Sequence, residues 1–278
     1  MKIYISSDME GSTGVVCAEQ TEIDNPQYAF GRAMQAADLA AAVKGAFEGG
    51  AESIVINDSH DTMTNIDITA LGGNVRLISG SPKLLGMVEG VSECDAAIFL
   101  GYHAMAGTEK AVLDHTYDSK TISSLSVNGR KMGETGVNAL LCGAVDVPVI
   151  MASGDDALCY EAESLLGKEL VTCSVKEGLG RAAALCLAPD KSAEAICKAA
   201  KEAVIRLKDK KFAPFKPAAP YILEVSLMNT LQTDSASLVP GAVRTSARAL
   251  SFETDDPLEL RRFLYSLMAC AASVSGSF

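Results

Sequence analysis

K-I-Y-I-S at Lys2–Ser6, followed directly by S-D-M-E-G at Ser7–Gly11, indicates the fold class of this chain. The first five residues contain β-branched and aromatic side chains, which is typical of a buried strand. The segment then turns polar and reaches a glycine, which is typical of a strand end. Two carboxylates directly after a buried strand also make this segment the first candidate for a functional site.

Four further apolar runs repeat this pattern, and helical, alanine-rich stretches lie between them. They are predicted as strands at Ser53–Asn57, Val75–Ile78, Ala96–Leu100 and Val147–Ala152. The segment Phe30–Phe47 has high helix propensity and is followed by a glycine pair that can end a helix. Strands that alternate with helices predict βαβ units. We therefore expect an α/β fold with a mostly parallel central sheet flanked by helices, and a smaller C-terminal α+β part.

A Pro-rich segment marks the predicted division of the chain. Residues 212–220 contain three prolines within seven residues, which can sustain neither a helix nor a central strand. We expect a metal-binding catalytic α/β domain at 1–211, a linker at 212–220 and the C-terminal part at 221–278. The C-terminal part should hold strands at Tyr221–Met228 and Val243–Phe252 and a terminal helix that starts at Pro257.

Composition limits the classes of partner. The chain has 278 residues, 48% of them apolar, and a formal charge of −11 with no basic cluster. It can bury a large core, but it offers no positive surface for nucleic acid or an anionic membrane. The N-terminus lacks the apolar region of a signal peptide, and the eight cysteines include no C-x-x-C pair. We expect a cytoplasmic protein whose partners are small molecules and copies of itself.

Metal-ligand side chains follow three of the predicted strands. Asp8 and Glu10 follow the first strand, His60 the second and His103 the fourth. Since ligands bind beyond the carboxyl ends of the strands of an open parallel sheet, these residues should converge. Asp8 and Glu10 are two residues apart, so their carboxylates should point to the same side if the extended conformation continues. Turn and capping chemistry beside Gly11 is the alternative role for the two acids.

Two more candidates come from less specific positions. Asn128-Gly129 predicts a hairpin, and the helix that should follow it starts at Glu134. A glutamate in the first turn is also favoured by the helix dipole alone, so this position leaves both roles open. His115 stands in a polar segment, where it could be catalytic or a plain loop histidine. The Asp155-Asp156 pair is interpreted as a helix cap and is left out of the metal set.

The number of ligands favours two ions over one. A catalytic zinc usually keeps three protein ligands, whereas this set offers two histidines and three carboxylates. Such a set fits a two-metal site that holds a hydroxide between the ions and polarises a substrate carbonyl, with His115 free to move a proton. The G-S-T-G run at residues 11–14 lacks the lysine of a P-loop and the spacing of a dinucleotide fold, so it competes poorly.

Five segments resemble the zinc-dependent D-aminopeptidase family of the bacterial dipeptide-operon type. They are S-D-M-E-G (Ser7–Gly11), N-D-S-H (Asn57–His60), G-Y-H-A (Gly101–Ala104), G-E-T-G-V-N-A (Gly133–Ala139) and D-V-P-V-I-M-A-S-G-D-D (Asp146–Asp156). The resemblance implies two zinc ions per subunit on Asp8, Glu10, His60, His103 and Glu134, with Asp8 bridging and His115 catalytic. It further implies release of N-terminal D-residues from short peptides such as D-Ala-D-Ala, and assembly as a ring-like homodecamer.

Two alternatives stay open at this point. Another two-metal amidase or a phosphoesterase could use the same ions, and Arg130 and Lys131 could then bind substrate oxygens. A non-catalytic assembly protein with a structural metal is the other alternative, although structural zinc sites are usually cysteine-rich.

Overall fold

The computed structural model describes residues 1–209 and 212–274 and confirms the predicted α/β class. The strands in these residues are β1 (Lys2–Ser7), β2 (Ser53–Asp58), β3 (Val75–Ile78), β4 (Ala96–Leu100), β5 (Ile122–Val127), β6 (Arg130–Lys131), β7 (Val149–Asp155), β8 (Val171–Gly180), β9 (Ala183–Cys186), β10 (Tyr221–Leu227), β11 (Val243–Arg244) and β12 (Ala249–Thr254). The α-helices are α1 (Tyr28–Gly49), α2 (Glu134–Ala144), α3 (Asp156–Leu166), α4 (Pro189–Leu207), α5 (Thr230–Ala236) and α6 (Pro257–Ala272).

The larger sheet has the strand order β3-β2-β1-β4-β7-β8-β9. All neighbouring pairs are parallel except β8 and β9, which are antiparallel at one edge. The chain runs outward from β1 through β2 to β3 and then crosses back to place β4 on the other side of β1. The direction of winding therefore reverses between β1 and β4, and ligands bind at such a reversal in open α/β sheets.

Alternating side chains of the central strands supply two separate cores. Ile3 and Ile5 of β1 point to the face that α1 and α4 cover, whereas Tyr4 points to the opposite face. The opposite core is shared with α2, α6 and the second sheet. Alternation of this kind follows from the period of two in a strand, and it explains why strands buried on both faces read as continuous apolar runs.

Close contact between α1 and α4 explains the small residues of α1. A Cβ atom built on Gly45 would lie 2.2 Å from the carbonyl oxygen of Cys197, so only glycine allows this approach. The helix ends at Gly49, and its C-cap residue Gly50 has φ 104°, the left-handed conformation that the sequence predicted at this glycine pair. Among residues 1–209 and 212–274, no helix has both the length and the apolar character needed to cross a membrane.

The smaller sheet is antiparallel, with the order β11-β12-β10-β5-β6. The predicted hairpin around Asn128-Gly129 forms its β5 and β6, so this sheet takes strands from both sides of the Pro-rich segment 212–220. That segment contains neither helix nor strand over its length. The division at residue 211 stays a prediction, and that boundary, like the end at 278, lies outside the described residues.

Two predicted strand bounds were wrong. The strand predicted at Val147–Ala152 is β7, which starts later because the Val147 amide donates to Cys142 at the end of α2. The single strand predicted at Val243–Phe252 is two strands, β11 and β12. They are separated by a turn in which Thr245 N donates to Ala249 O at 3.0 Å and the Arg244 guanidinium donates to Ala247 O at 2.6 Å.

Candidate metal centre

The strand register brings three polar segments to one level of the sheet. Ser7, the last residue of β1, pairs with Asp58 at the end of β2 and with Leu100 at the end of β4. The bonding continues past the strands, because Asp8 N donates to Leu100 O at 2.8 Å and Ser59 N to Ser7 O at 2.9 Å. The segments that carry Asp8, His60 and His103 therefore leave the sheet side by side, as the sequence predicted.

Two glycines let the loops after β1 and β4 pack backbone against backbone. Gly11 N donates to Gly101 O at 2.8 Å, and a Cβ atom on Gly11 would lie only 1.8 Å from Tyr102 O. Gly101 has φ 70°, and a Cβ atom there would lie 2.4 Å from Asp8 O. This contact leaves no room for side chains between the loops and sets the distance between Asp8 and His103.

Glu134 reaches the same place from the first turn of α2. Its Oε1 accepts a hydrogen bond from Tyr117 N at 2.7 Å, which ties the helix to the loop that carries His115. Two residues before Tyr117, the same loop is held by His115 N, which donates to Ala104 O at 3.4 Å. Both segments are therefore anchored by backbone groups next to the candidate residues.

All six residues proposed from the sequence lie in one cluster, in which His115 is partly buried and the other five are buried, and Asp8 is at its centre. Nδ1 of His60 lies 3.0 Å from Glu10 Oε2 and 3.4 Å from Asp8 Oδ1. Nε2 of His103 lies 3.2 Å from Glu134 Oε1 and 3.7 Å from Asp8 Oδ2. His115 completes the set with Nε2 at 3.7 Å from Glu134 Oε1.

The second nitrogen of each imidazole ring faces a backbone carbonyl. His60 Nε2 contacts Thr21 O at 2.9 Å, His103 Nδ1 contacts Ala104 O at 3.1 Å, and His115 Nδ1 contacts Leu113 O at 2.8 Å. A carbonyl oxygen can only accept, so these nitrogens carry the proton, and the nitrogen that faces the carboxylates has a free lone pair in the neutral ring. Metal-binding histidines are held in the same way.

The donor set fits a divalent cation. Asp8 Oδ2 and Glu10 Oε2 are buried and face imidazole nitrogens, with His60 Nδ1 3.0 Å from Glu10 Oε2 and His103 Nε2 3.7 Å from Asp8 Oδ2, but no other donor among the described residues binds them. Ligand atoms of Asp8, Glu10 and His103 lie within 4.8 Å of one another, and so do those of His103, His115 and Glu134. Nitrogen and carboxylate ligands without sulfur suit zinc at a catalytic site.

Burial and charge pairing together set the protonation of the cluster. Burial and the Glu10 carboxylate raise the pKa of Asp8 to about 8. Burial lowers the pKa of His103, but the carboxylates of Glu134, Asp8 and Glu10 together outweigh it and raise this pKa to about 10. The pKa of His115 is lowered by burial and by the neighbouring His103. Protons on the imidazoles thus offset the carboxylate charge, and a bound cation would displace them.

The comparison with known proteins decides the family. Residues 1–266 match the model of the peptidase M55 family, which is described as D-aminopeptidase. The chain belongs to the D-aminopeptidase family. It is 34% identical over 263 residues to a D-aminopeptidase of Bacillus subtilis (strain 168), with 93% of each protein covered. The resemblance found in the sequence is therefore confirmed, and so is the prediction of an enzyme of the metallo-aminopeptidase class.

A solved structure of this D-aminopeptidase family has the same fold. The zinc-dependent D-aminopeptidase DppA from Bacillus subtilis, described as a self-compartmentalizing protease, superposes with a TM-score of 0.93 at 32% identity. The match covers 98% of both chains. The two proteins therefore share the same overall fold.

The six candidate site residues line a cavity of about 770 Å³. Four acids, Glu22, Asp24, Asp61 and Asp118, line it as well, together with two cations, Lys120 and Arg181. Arg181 pairs with Asp114 at 3.1 Å. The volume lies in the range of small-ligand pockets, which is about 300–1,000 Å³.

Three buried residues near the site were missed by the sequence analysis. Asp38 of α1 accepts from Thr13 N and Thr13 Oγ1, both at 2.8 Å. Lys176 of β8 donates to three carbonyls of the loop after β1. Glu161 of α3 accepts from Met105 N at 2.8 Å, two residues after His103. Each binds backbone groups, which no side-chain pattern in the sequence reveals.

The interpretation of the Asp155-Asp156 pair as a helix cap is confirmed for Asp155. Its Oδ1 accepts from Leu158 N at 2.8 Å at the start of α3, and its Oδ2 accepts from Val112 N at 2.7 Å. Both oxygens are therefore used for backbone amides.

Proposed function

We propose that this protein is a binuclear zinc aminopeptidase that releases the N-terminal residue of short peptides containing D-amino acids, such as D-Ala-D-Ala. The observation that carries the proposal is the convergence of five ligand side chains around two buried carboxylate oxygens, Asp8 Oδ2 and Glu10 Oε2, which face imidazole nitrogens and no other donor among the described residues. Membership in the D-aminopeptidase family and the zinc dependence of the Bacillus subtilis relative support the choice of reaction and metal.

Asp8 is the ligand best placed to bridge two ions. Its Oδ1 lies on the side of His60, and its Oδ2 lies on the side of His103. One ion would be held by His60 and Glu10 with Asp8, and the other by His103 and Glu134 with Asp8. Two zinc ions there would supply water activated for attack at neutral pH and would polarise the scissile carbonyl.

His115 would move the proton between water and the leaving amine. Its Nδ1 is held by Leu113 O, so Nε2 is the free nitrogen, and it faces the cluster beside Glu134 Oε1. Burial, and to a smaller extent the neighbouring His103, lower the pKa of His115. The ring is therefore neutral at pH 7 and can accept a proton there. It would then donate this proton to the amine when the peptide bond breaks.

The cavity walls would select a short, free peptide. The acids at Glu22, Asp24 and Asp61 supply negative charge for an α-ammonium group. Lys120 lines the same cavity and supplies a cation for a free carboxylate. The phosphoesterase alternative loses its support, because the exposed Arg130 and Lys131 are not among the residues that line the cavity.

Assembly and location belong to the same proposal. The relative that matches 98% of this chain is described as self-compartmentalizing, which supports a homo-oligomer here, and we propose a ring-like decamer. All eight cysteines are free thiols, which supports a reducing compartment such as the cytoplasm. Native mass spectrometry of the purified protein measures the subunit number directly.

The decisive experiment measures metal and stereochemistry on one sample. Purified protein should contain two zinc ions per chain, and removal of zinc with a chelator should abolish release of alanine from D-Ala-D-Ala until zinc is restored. The L-Ala-L-Ala peptide is the matched control. Activity that survives chelation would refute the metal mechanism, and faster cleavage of the L-peptide would refute the proposed selectivity while leaving the metal mechanism intact.

A further inference from the structure

Lys176 is a buried cation on β8, the strand next to the edge strand β9 of the larger sheet. Its side chain is 2% exposed, and its Nζ lies 2.6 Å from Glu10 O, 2.9 Å from Ser12 O and 2.5 Å from Val15 O. A lysine ammonium has three hydrogens, so these three bonds use every donor it has. All three acceptors lie on the single loop that follows β1, and one of them belongs to the candidate ligand Glu10.

The choice of acceptors makes a purely stabilising role a poor explanation. Taking an ammonium out of water is costly, and apolar residues of similar volume often replace buried charges with no loss of stability. Here the ammonium binds carbonyl oxygens of an irregular loop. Such a loop has no ladder of its own to satisfy these carbonyls, and its path depends on the groups that bind them.

The same loop is held from a second side. Asp38 binds the amide and the hydroxyl of Thr13, so a buried anion binds donors of this loop while a buried cation binds its acceptors. Gly11 is pressed against Gly101 on a third side. The backbone of Glu10 is thereby fixed, and its buried carboxylate Oε2 faces His60 Nδ1 at 3.0 Å.

We propose that Lys176 is a positioning residue of the metal centre, which fixes the Glu10 backbone so that the carboxylate is oriented before a metal ion binds. The inference rests on the proposed function in one respect, since it takes Glu10 to be a metal ligand. It assigns no chemical step to Lys176, whose Nζ is directed to the loop carbonyls.

The test measures metal affinity rather than activity. Metal-free protein is titrated with Co²⁺, and the dissociation constant and the visible absorption bands of the loaded protein are recorded for wild type and Lys176→Met. Outer-shell changes typically weaken metal binding about 10- to 100-fold, and we expect a loss of this size together with shifted absorption bands. Val204→Ala is the control, because Val204 is fully buried in α4 and packs against Gly49, in the helical layer of α1 and α4.

For the inference to stand, the Co²⁺ dissociation constant and the absorption bands must both change in Lys176→Met and stay unchanged in Val204→Ala. If either signal of Lys176→Met equals that of the control, the inference is overturned. Should Lys176→Met fail to fold, Lys176→Gln is judged by the same rule, since its amide is uncharged and cannot reach all three carbonyls. Glu10→Gln is measured in parallel. Wild type that binds no Co²⁺ would refute the metal centre itself, and unchanged binding in Glu10→Gln would refute Glu10 as a ligand. Weakened binding in Glu10→Gln with an unaffected Lys176→Met refutes only the role of Lys176.

Discussion

The imidazole rings of His103 and His115 stack face to face, with centroids 3.9 Å apart and 11° between the ring planes. Their Nε2 atoms approach the same oxygen, Glu134 Oε1, at 3.2 Å and 3.7 Å. Two stacked rings cannot both carry a proton at low cost, and the pKa values of His103 and His115 shift in opposite directions. The pair therefore separates two roles, with one ring bound to charge partners and the other held neutral.

We expect His115→Gln to lower kcat without removing metal. Proton transfer by a positioned side chain typically contributes about 10²- to 10⁴-fold, so kcat for D-Ala-D-Ala should fall within this range. Zinc content per chain is measured on the same sample. Because ligand atoms of His103, His115 and Glu134 lie close enough to hold an ion, loss of zinc from this variant would instead make His115 a ligand.

Asp8→Asn and Glu134→Gln should differ in their effect on metal content. If Asp8 bridges, its replacement weakens both sites, whereas Glu134→Gln weakens only the site shared with His103. Zinc per chain after dialysis should therefore be lower for Asp8→Asn than for Glu134→Gln. Glu109→Gln, a change at an exposed acid, serves as the control. Equal zinc content in the two variants would contradict the bridging role.

Gly11→Ala should disrupt the contact between the loops after β1 and β4. The new methyl group would lie 1.8 Å from Tyr102 O, which is a backbone atom and cannot rotate away. Overpacking typically costs about 1–3 kcal/mol, and a backbone clash should reach the upper end of this range in the free energy of unfolding. Urea unfolding measures the loss. Gly72→Ala is the matched control, because nothing lies within 4 Å of a Cβ atom there, and an equal loss in both variants would refute the explanation.

The stability of the metal-free protein should fall as pH rises through the titration of Asp38. Burial raises the pKa of Asp38 from its ordinary value of 3.8 to about 6. Between these two values the folded protein holds a proton that the unfolded chain has released, so unfolding becomes easier with rising pH. This pKa shift corresponds to a contribution to the free energy of unfolding on the order of 2–3 kcal/mol, which the protein loses between about pH 4 and pH 6.

Asp38→Asn removes this titration while an amide can still accept from Thr13 N and donate to Thr13 Oγ1. Urea unfolding of both proteins from pH 4 to pH 7 gives the comparison. The free energy of unfolding of wild type, relative to Asp38→Asn, should decline across this range. A difference that does not depend on pH would show that Asp38 titrates normally.

Much of the fold could be read from local patterns. The β-branched runs at β1, β2 and β4 and the glycine pair after α1 each specify their local structure through propensity and burial. The convergence of Asp8, His60 and His103 could also be predicted, because parallel strands bring their carboxyl ends to one edge. The turn that separates β11 from β12 was not predicted, since it depends on hydrogen bonds from Arg244 to the backbone of the same turn.

Residue types and their positions at strand ends are properties of the sequence, and they were sufficient to nominate Asp8, Glu10, His60 and His103. Glu134 and His115 were nominated mainly by the family resemblance. The sequence alone does not determine the distances among these residues, the protonation of the stacked rings or the hydrogen bonds that hold the Glu10 backbone. Lys176 lies 166 positions from Glu10 and binds its carbonyl oxygen. Every residue has such an oxygen, so no side-chain pattern marks the one that is chosen. Only the packing of β8 beside β7, and the path of the loop after β1, bring that oxygen and the ammonium together.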